Sequence, residues 1–207
     1  MSLRQRLFAR WYDRLTAGYE AWIHERRQTL LGGLSGAVLE IGPGTGANFK
    51  YLPAGIQWIG IEPNPFLHEQ LRERAAERGI EAELHVARAE RLDLPGESID
   101  AAVSTLVLCS VDDPPRVIGE IHRVLRPGGR FVFLEHVAAR PGTWLRRWQR
   151  AVKPVWRFAG DGCRTDRETR AEIEAAAFRA VEIDEFRVPW PPVPAWVSPH
   201  IAGVAVK

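Results

Sequence analysis

The chain predicts an α/β fold: one mostly parallel sheet with helices on both faces. Three observations carry that prediction. From Val38 to Val137, short apolar runs alternate with segments of helical periodicity, the pattern of strands joined by crossover helices. The first run, Val38-Leu39-Glu40-Ile41, passes directly into Gly42-Pro43-Gly44-Thr45-Gly46, with glycine at alternate positions. Glu62 closes the second run, at the distance beyond Gly42 where a strand-end carboxylate can accept hydrogen bonds from a ribose.

Taken in order, residues 1–36 read as a helical cap carrying Trp11, Tyr12, Tyr19 and Trp22. Residues 37–140 form the core, with strands expected near 37–41, 57–62, 82–87, 99–104 and 130–136. Helices are expected near 46–52, 65–78 and 114–125. Gly79 and Pro127-Gly128-Gly129 end two of these helices, the second passing straight into a strand. An insertion at 141–177 follows, and residues 178–207 hold two last strands joined by the proline-rich loop WPPVPAWVSP. Neither a repeat nor a low-complexity linker interrupts the chain, so 1–207 is expected to be a single domain.

At 207 residues the chain can bury a sizeable core without staples. A formal charge of +2 and the lack of long like-charge blocks give no global sign of a nucleic-acid partner. Cys109 and Cys163 have no metal-ligand spacing and make no disulfide framework, so no metal is expected and a cytoplasmic location fits. Arg4, Arg6 and Arg10 interrupt the apolar residues at the start, and no apolar run of about 18 residues could span a bilayer.

Within the insertion, Trp144, Leu145, Trp148, Val152 and Trp156 fall near one helical face, with Arg146, Arg147, Arg150, Lys153 and Arg157 around it; Pro154 should interrupt the helix. Two readings follow. The segment is a lid that buries its aromatic residues over the sheet, or 143–158 makes weak contact with a membrane surface. The lid is the expectation, because apolar stripes on helices of soluble domains usually face a core.

The glycines let a backbone approach a nucleoside cofactor closely, but they also satisfy the dinucleotide pattern through Gly42, Gly44 and Ala47. NAD and S-adenosylmethionine both remain open on the glycines alone. Glu40 leans the reading toward the second. A carboxylate at the mouth of the loop opposes a pyrophosphate and favours a ligand that brings an ammonium and a sulfonium.

Four segments, LEIGPGTG, Glu62, AERLDLPGESIDAAVS and HRVLRPGGRFVFLEH, together resemble the ordered motifs of class I S-adenosylmethionine-dependent methyltransferases. Within that superfamily, GTGANFKYLP, TLVLCSVDD, VLRPGG, EHVA followed by TW, DGCRTDRET and PHIAGVAVK are similar to the alkyl thiol S-methyltransferases of the mammalian endoplasmic reticulum. The resemblance implies a Rossmann-like seven-stranded sheet with an antiparallel last strand. It implies Gly42, Gly44 and Gly46 against the methionine part of S-adenosylmethionine, Glu40 near its ammonium and Glu62 on its ribose. Ala89 and Glu90 would flank the adenine, and Thr105 and Leu106 would line the channel to the methyl group. Arg88 departs from the family, standing where relatives carry a small or acidic residue, so adenine recognition would rest on backbone groups. The apolar N-terminal anchor of the mammalian relatives has no counterpart here, so membrane residence is not expected to transfer.

Methyl transfer from a sulfonium is an in-line displacement with a neutral leaving group and requires neither metal nor covalent intermediate. Positioning and exclusion of water carry it. A thiol acceptor also needs a base or a positive field, since its pKa near 8.5 leaves little thiolate at neutral pH. His136 ends the fifth strand and His200 opens the last; with an antiparallel last strand both reach the cofactor edge, where a neutral imidazole can take a proton. Asp161, in GDGC, is a third candidate, orienting a histidine or acting as base. His24, His68, His85 and His122 read as structural. Cys109 reads as a small apolar wall residue in preference to one half of a methylated-cysteine relay with Cys163, and Trp190 and Trp196 read as plain packing or as walls of an apolar acceptor pocket. The leading reading is S-methylation of small apolar thiols or sulfide. Alternatives are C- or N-methylation of a quinone precursor or phospholipid amine, an NAD-dependent oxidoreductase, and a cofactor-binding protein without catalysis.

Overall fold

The computed structural model describes residues 18–160, 162–189, 191 and 193–207. Seven strands form one sheet: β1 (Ala37–Ile41), β2 (Gln57–Ile61), β3 (Glu81–His85), β4 (Ile99–Thr105), β5 (Leu125–His136), β6 (Ala180–Arg187) and β7 (Pro199–Val206). Their order is β3-β2-β1-β4-β5-β7-β6, parallel except that β7 runs antiparallel to both β5 and β6. The order reverses between β1 and β4, which puts the crevice for a ligand at the carboxyl ends of those two strands. The described helices are α1 (18–31), α2 (His68–Glu77), α3 (Pro114–Val124), α4 (Trp144–Ala159) and α5 (Thr169–Glu174).

Strands buried on both sides sort their side chains by the two-residue period. Val38, Ala101, Val103 and Val132 point into one apolar layer with Leu34, Phe49, Trp58 and Leu71. Leu39, Ile41, Ala102, Phe131 and Phe133 point into the other, against Val117, Ile118, Ile121 and Val124 of α3. Those four α3 residues are wholly buried, and burial of such side chains contributes about 2 kcal/mol each. Asp113 caps α3 by accepting from the Arg116 N–H at 3.2 Å, with prolines in its first turn. Tyr19 and Ile23 of α1 pack on Leu134, Val188 and Ala202. Trp11 and Tyr12 lie outside the described residues.

Three expectations need correction. The segment 46–52 is a series of tight turns rather than a helix, with bonds such as Gly46 N–H to Pro43 and Phe49 N–H to Gly46 carbonyls. Gly46, at the start of the segment, holds positive φ, as do Gly42 and Gly44 just before it, and helical backbone does not allow that. Pro154 does not interrupt α4, because it lies on the exposed side, where solvent can satisfy the carbonyl left without its N–H partner.

The third correction concerns the insertion helix, whose apolar stripe is only partly buried. Leu145, Arg146 and Gln149 are its buried residues, while Trp144, Trp148, Val155 and Phe158 are 55–74 % exposed. Polar bonds dock the helix. Gln149 accepts from Ala139 N–H at 2.7 Å and donates to the Val137 and Trp196 carbonyls. Arg146 donates to the Asp166 carbonyl at 3.1 Å and to Glu168 at 2.5 Å. Leu145, Arg146 and Gln149 share the docked face with the half-buried Val152 and Trp156, so of the stripe only Trp144 and Trp148 face outward. No described helix is long and apolar enough to cross a membrane.

Candidate active site

At the carboxyl edge, the loop after β1 is shaped by its glycines. Gly42 donates to the Ile61 carbonyl at 2.8 Å, and a Cβ there would stand 2.7 Å from the Val107 side chain. Gly44, at φ +59°, has nothing nearer than 4.0 Å to a built Cβ, so its outer side is open for close approach of a ligand.

Two carboxylates flank this loop. Glu40 is buried and accepts from Asn48 Nδ2 at 2.8 Å and Trp58 Nε1 at 2.9 Å. Burial lifts its carboxyl above the usual range, and the two donors oppose that rise. Asn48 Nδ2 also lies 2.8 Å from Thr105 Oγ1, so one amide links the loop to the end of β4. Glu62 accepts from Gly44 N–H at 3.2 Å and Asn64 N–H at 2.8 Å, one on each oxygen.

Farther along the edge, Ala89 is buried and Glu90 accepts from Asp112 N–H at 2.9 Å. Arg88 is two-thirds exposed and pairs with Asp112. Leu106 adopts φ +62°, a left-handed conformation that costs a residue with a side chain about 1 kcal/mol or more. The loop that holds it is tied down by Glu135. That carboxylate, fully buried, accepts from Ser104 Oγ at 2.5 Å and from the N–H groups of Val107 and Leu108 at 3.2 Å. Burial pushes its pKa up to about 7 against those donors. Sequence reading missed Glu135 and Asn48; a carboxylate inside the apolar run FVFLEH is the signal that marked the first.

His136 and His200 face each other in the β5–β7 ladder, with ring centroids 6.2 Å apart. They differ in their partners. His200 Nε2 accepts from Tyr19 Oη at 2.9 Å and its Nδ1 donates to the Ser198 carbonyl at 2.9 Å, so both nitrogens are engaged. Burial, aided by His136, depresses its pKa to about 3. His136 has no hydrogen-bond partner on Nδ1 among the described residues, and its Nε2 lies 3.0 Å from Cys163 Sγ.

Cys109 completes this group: the ligand atoms of Cys109, His136 and Cys163 lie within 4.8 Å of one another, all buried. Cys163 is the more acidic thiol, lowered by its bond with Cys109 and by the Trp156 Nε1–H at 3.2 Å; Cys109 is raised by the same thiol contact and by burial. Spacing along the chain gives these cysteines no joint role, because Cys109 and Cys163 lie far apart in sequence. Asp161 and Trp190 lie outside the described residues. Trp196 packs edge-on against Trp156 at 5.7 Å, behind the cluster.

Residues 39–133 match a methyltransferase domain family. Human thiol S-methyltransferase TMT1B is 42 % identical over 184 residues, covering 86 % of this chain and 74 % of that protein. A phosphatidylethanolamine N-methyltransferase of Cereibacter sphaeroides is 38 % identical over 112 residues, 52 % of this chain and 54 % of that protein. Among solved structures, an S-adenosylmethionine dependent methyltransferase from Mesorhizobium loti has the same fold, with a TM-score of 0.65 at 22 % identity, over 89 % of this chain and 97 % of that one. The glycine loop bordered by a buried Glu40, the antiparallel β7 and the 42 % identity across most of both chains set aside the dinucleotide-binding alternative. The chain is a member of the class I S-adenosylmethionine-dependent methyltransferases and belongs among them to the thiol S-methyltransferase family.

Proposed function

We propose that this enzyme methylates the sulfur of small, fairly apolar thiols or of sulfide. The observation that carries the reading is the 42 % identity to human TMT1B over 86 % of the chain. When bound, S-adenosylmethionine supplies an electrophilic methyl group on a sulfonium. The residues at the edge suit that cofactor. Gly44 gives its methionine part close access to backbone, Gly42 and Gly46 let the loop pack against Val107 and Phe49 beneath it, and the buried carboxylate of Glu40 favours a cation at the loop, with Asn48 between. Glu62 takes the ribose hydroxyls as a hydrogen-bond acceptor, while Ala89 and Glu90 border the adenine. Thr105 and the strained Leu106 line the methyl channel, and Glu135 holds that loop in shape.

Displacement at the methyl group calls for no metal at the sulfonium, since the leaving group is a neutral thioether. On the acceptor side, His136 is the group we assign to the thiol proton, with Asp161 as a second candidate from its place in GDGC. His200, held at both nitrogens, positions β7 and the ring beside it rather than exchanging protons. Purified protein incubated with labelled cofactor and a panel of alkyl thiols, sulfide, amines and quinone precursors tests the reading. Label in the thiols is expected; label only in an amine or a quinone precursor would refute the acceptor assignment.

One observation favours a second reading, methylation of a lipid-borne amine. The outward stripe of Trp144, Trp148 and Val155 on α4 is flanked by exposed Arg147, Arg150 and Arg157, a composition suited to an anionic membrane surface. Co-sedimentation with phosphatidylglycerol vesicles, compared with neutral ones, measures that contact, and Trp148→Ser should weaken it.

A further inference from the structure

Cys109, His136 and Cys163 reach one point from three separate segments: the loop after β4, the end of β5 and the turn after α4. Their ligand atoms lie within 4.8 Å of one another in a buried setting. Two soft sulfurs and one imidazole nitrogen form a donor set that selects thiophilic d¹⁰ cations, zinc foremost among the divalent ones. Around a tetrahedral zinc, such donors stand about 3.5 to 3.8 Å apart. His136 Nε2 and Cys163 Sγ, now 3.0 Å apart, would need to part by roughly half an ångström to admit the ion.

The backbone around the cluster is tied together. Arg164 N–H donates to the Cys109 carbonyl at 2.9 Å, fixing the turn of Cys163 against the loop of Cys109. Trp156 Nε1–H points at Cys163 Sγ from 3.2 Å, the kind of outer donor that orients a ligating thiolate. The cluster also borders the proposed methyl channel, since Cys109 Sγ lies 3.7 Å from the Leu106 carbonyl.

We propose that Cys109, His136 and Cys163 form a three-ligand site for a zinc-type cation whose open fourth position takes the sulfur of the acceptor thiol. The second half rests on the thiol reading above. Three protein ligands with one open position is the arrangement of catalytic rather than structural zinc. Coordination deprotonates a thiol, which answers the shortage of thiolate at neutral pH. The acceptor S–H bond breaks and its proton passes to solvent; the acceptor sulfur forms a bond to the methyl carbon. The bond from that carbon to the sulfonium breaks, its electron pair staying on what becomes a neutral thioether. Nothing is oxidised or reduced, and the methylated product, a weaker neutral ligand, leaves the cation. In this arrangement His136 acts through Nε2 as a ligand, and the cation replaces it as the means of making thiolate.

The test is a cobalt(II) titration of the full chain, stripped with chelator and kept reduced with a phosphine. A thiolate-to-cobalt charge-transfer band saturating at one ion per chain is expected, bleached by added zinc. Cys109→Ser and Cys163→Ser should each weaken cobalt binding by about tenfold or more, while calorimetry with S-adenosylhomocysteine confirms that each variant remains folded. Should either variant fail that check, the wild-type titration still decides: the lack of a saturable thiolate band overturns the site. Adding benzyl thiol to the cobalt form should strengthen the band as another sulfur enters, and an unchanged spectrum overturns the fourth-position assignment. Undiminished thiol methylation by metal-free protein overturns the inference while leaving the thiol reading intact. Cobalt binding without methylation of any thiol keeps the cation site and overturns the thiol reading, and with it the role given to the fourth position.

Discussion

The two halves of the carboxyl edge are built in different ways. The part of the cofactor side assigned to the methionine and ribose is nearly continuous in sequence: Glu40, the glycines at 42, 44 and 46, Asn48 and Glu62 come from one short stretch of chain, tied by the Asn48–Glu40 and Gly44–Glu62 bonds. The acceptor side draws Cys109, His136 and Cys163 from three segments well separated along the chain. Gripping a cofactor demands an unusual backbone, and an unusual backbone demands glycine. Converging three side chains demands only that the fold bring ordinary strand ends and turns together.

If that contrast holds, damage to the two sides should separate cleanly. The largest effect is expected from Gly44→Val. Its φ of +59° is unfavourable for a β-branched residue, and the new side chain would occupy the open side of the loop. Calorimetry should show S-adenosylhomocysteine affinity falling by about 100-fold or more; binding within about tenfold of wild type would mean that the loop does not hold the cofactor there. His136→Ala should do the reverse, leaving that affinity within about twofold and lowering thiol turnover by roughly 10². Intact turnover would remove His136 from the acceptor side. Asn48→Ala lies between the two, because its amide bridges Glu40 to Thr105. Losing one donor to a buried carboxylate should weaken cofactor affinity by about tenfold, with a smaller effect on turnover at saturating cofactor.

The same contrast explains what could be read from the chain. Strand and helix positions followed from apolar period, and Glu62 from its distance to Gly42. The turns at 46–52 were misread as helix because their residues are compatible with helix except for the positive φ that Gly46 adopts. On α4 the periodicity places Leu145 and Trp156 inward but not Arg146 and Gln149, which look like solvent-facing residues until Glu168, Asp166 and the Val137 carbonyl supply their partners. Those partners sit on other elements, and periodicity cannot see them. Cys109 and Cys163 were legible only as two isolated cysteines, since their pairing exists solely in the tertiary structure. Asp161 and Trp190 lie outside the described residues, so their sequence readings stand as proposals.

The smallest predicted effect concerns the boundary between scaffold and chemistry on the acceptor side. His200 is neutral in the fold, with a pKa near 3 against 6.5 when unperturbed, because burial disfavours its charge. A group depressed in this way contributes stability above pH 6.5 and loses it as pH falls toward 3. His200→Gln keeps one acceptor for Tyr19 Oη and one donor for the Ser198 carbonyl but cannot charge. At pH 7 the variant should melt within a few degrees of wild type, and between pH 6 and 4 it should lose less of its melting temperature. Glu135 works in the opposite sense over part of that range. Its pKa, raised to about 7, makes the fold gain stability as pH falls from 7 toward 4.5. Glu135 is common to both proteins, so the difference between the two melting curves isolates His200. Superimposable acid limbs would mean that His200 is already able to charge in the folded state, and would return it to the candidates for proton transfer beside His136.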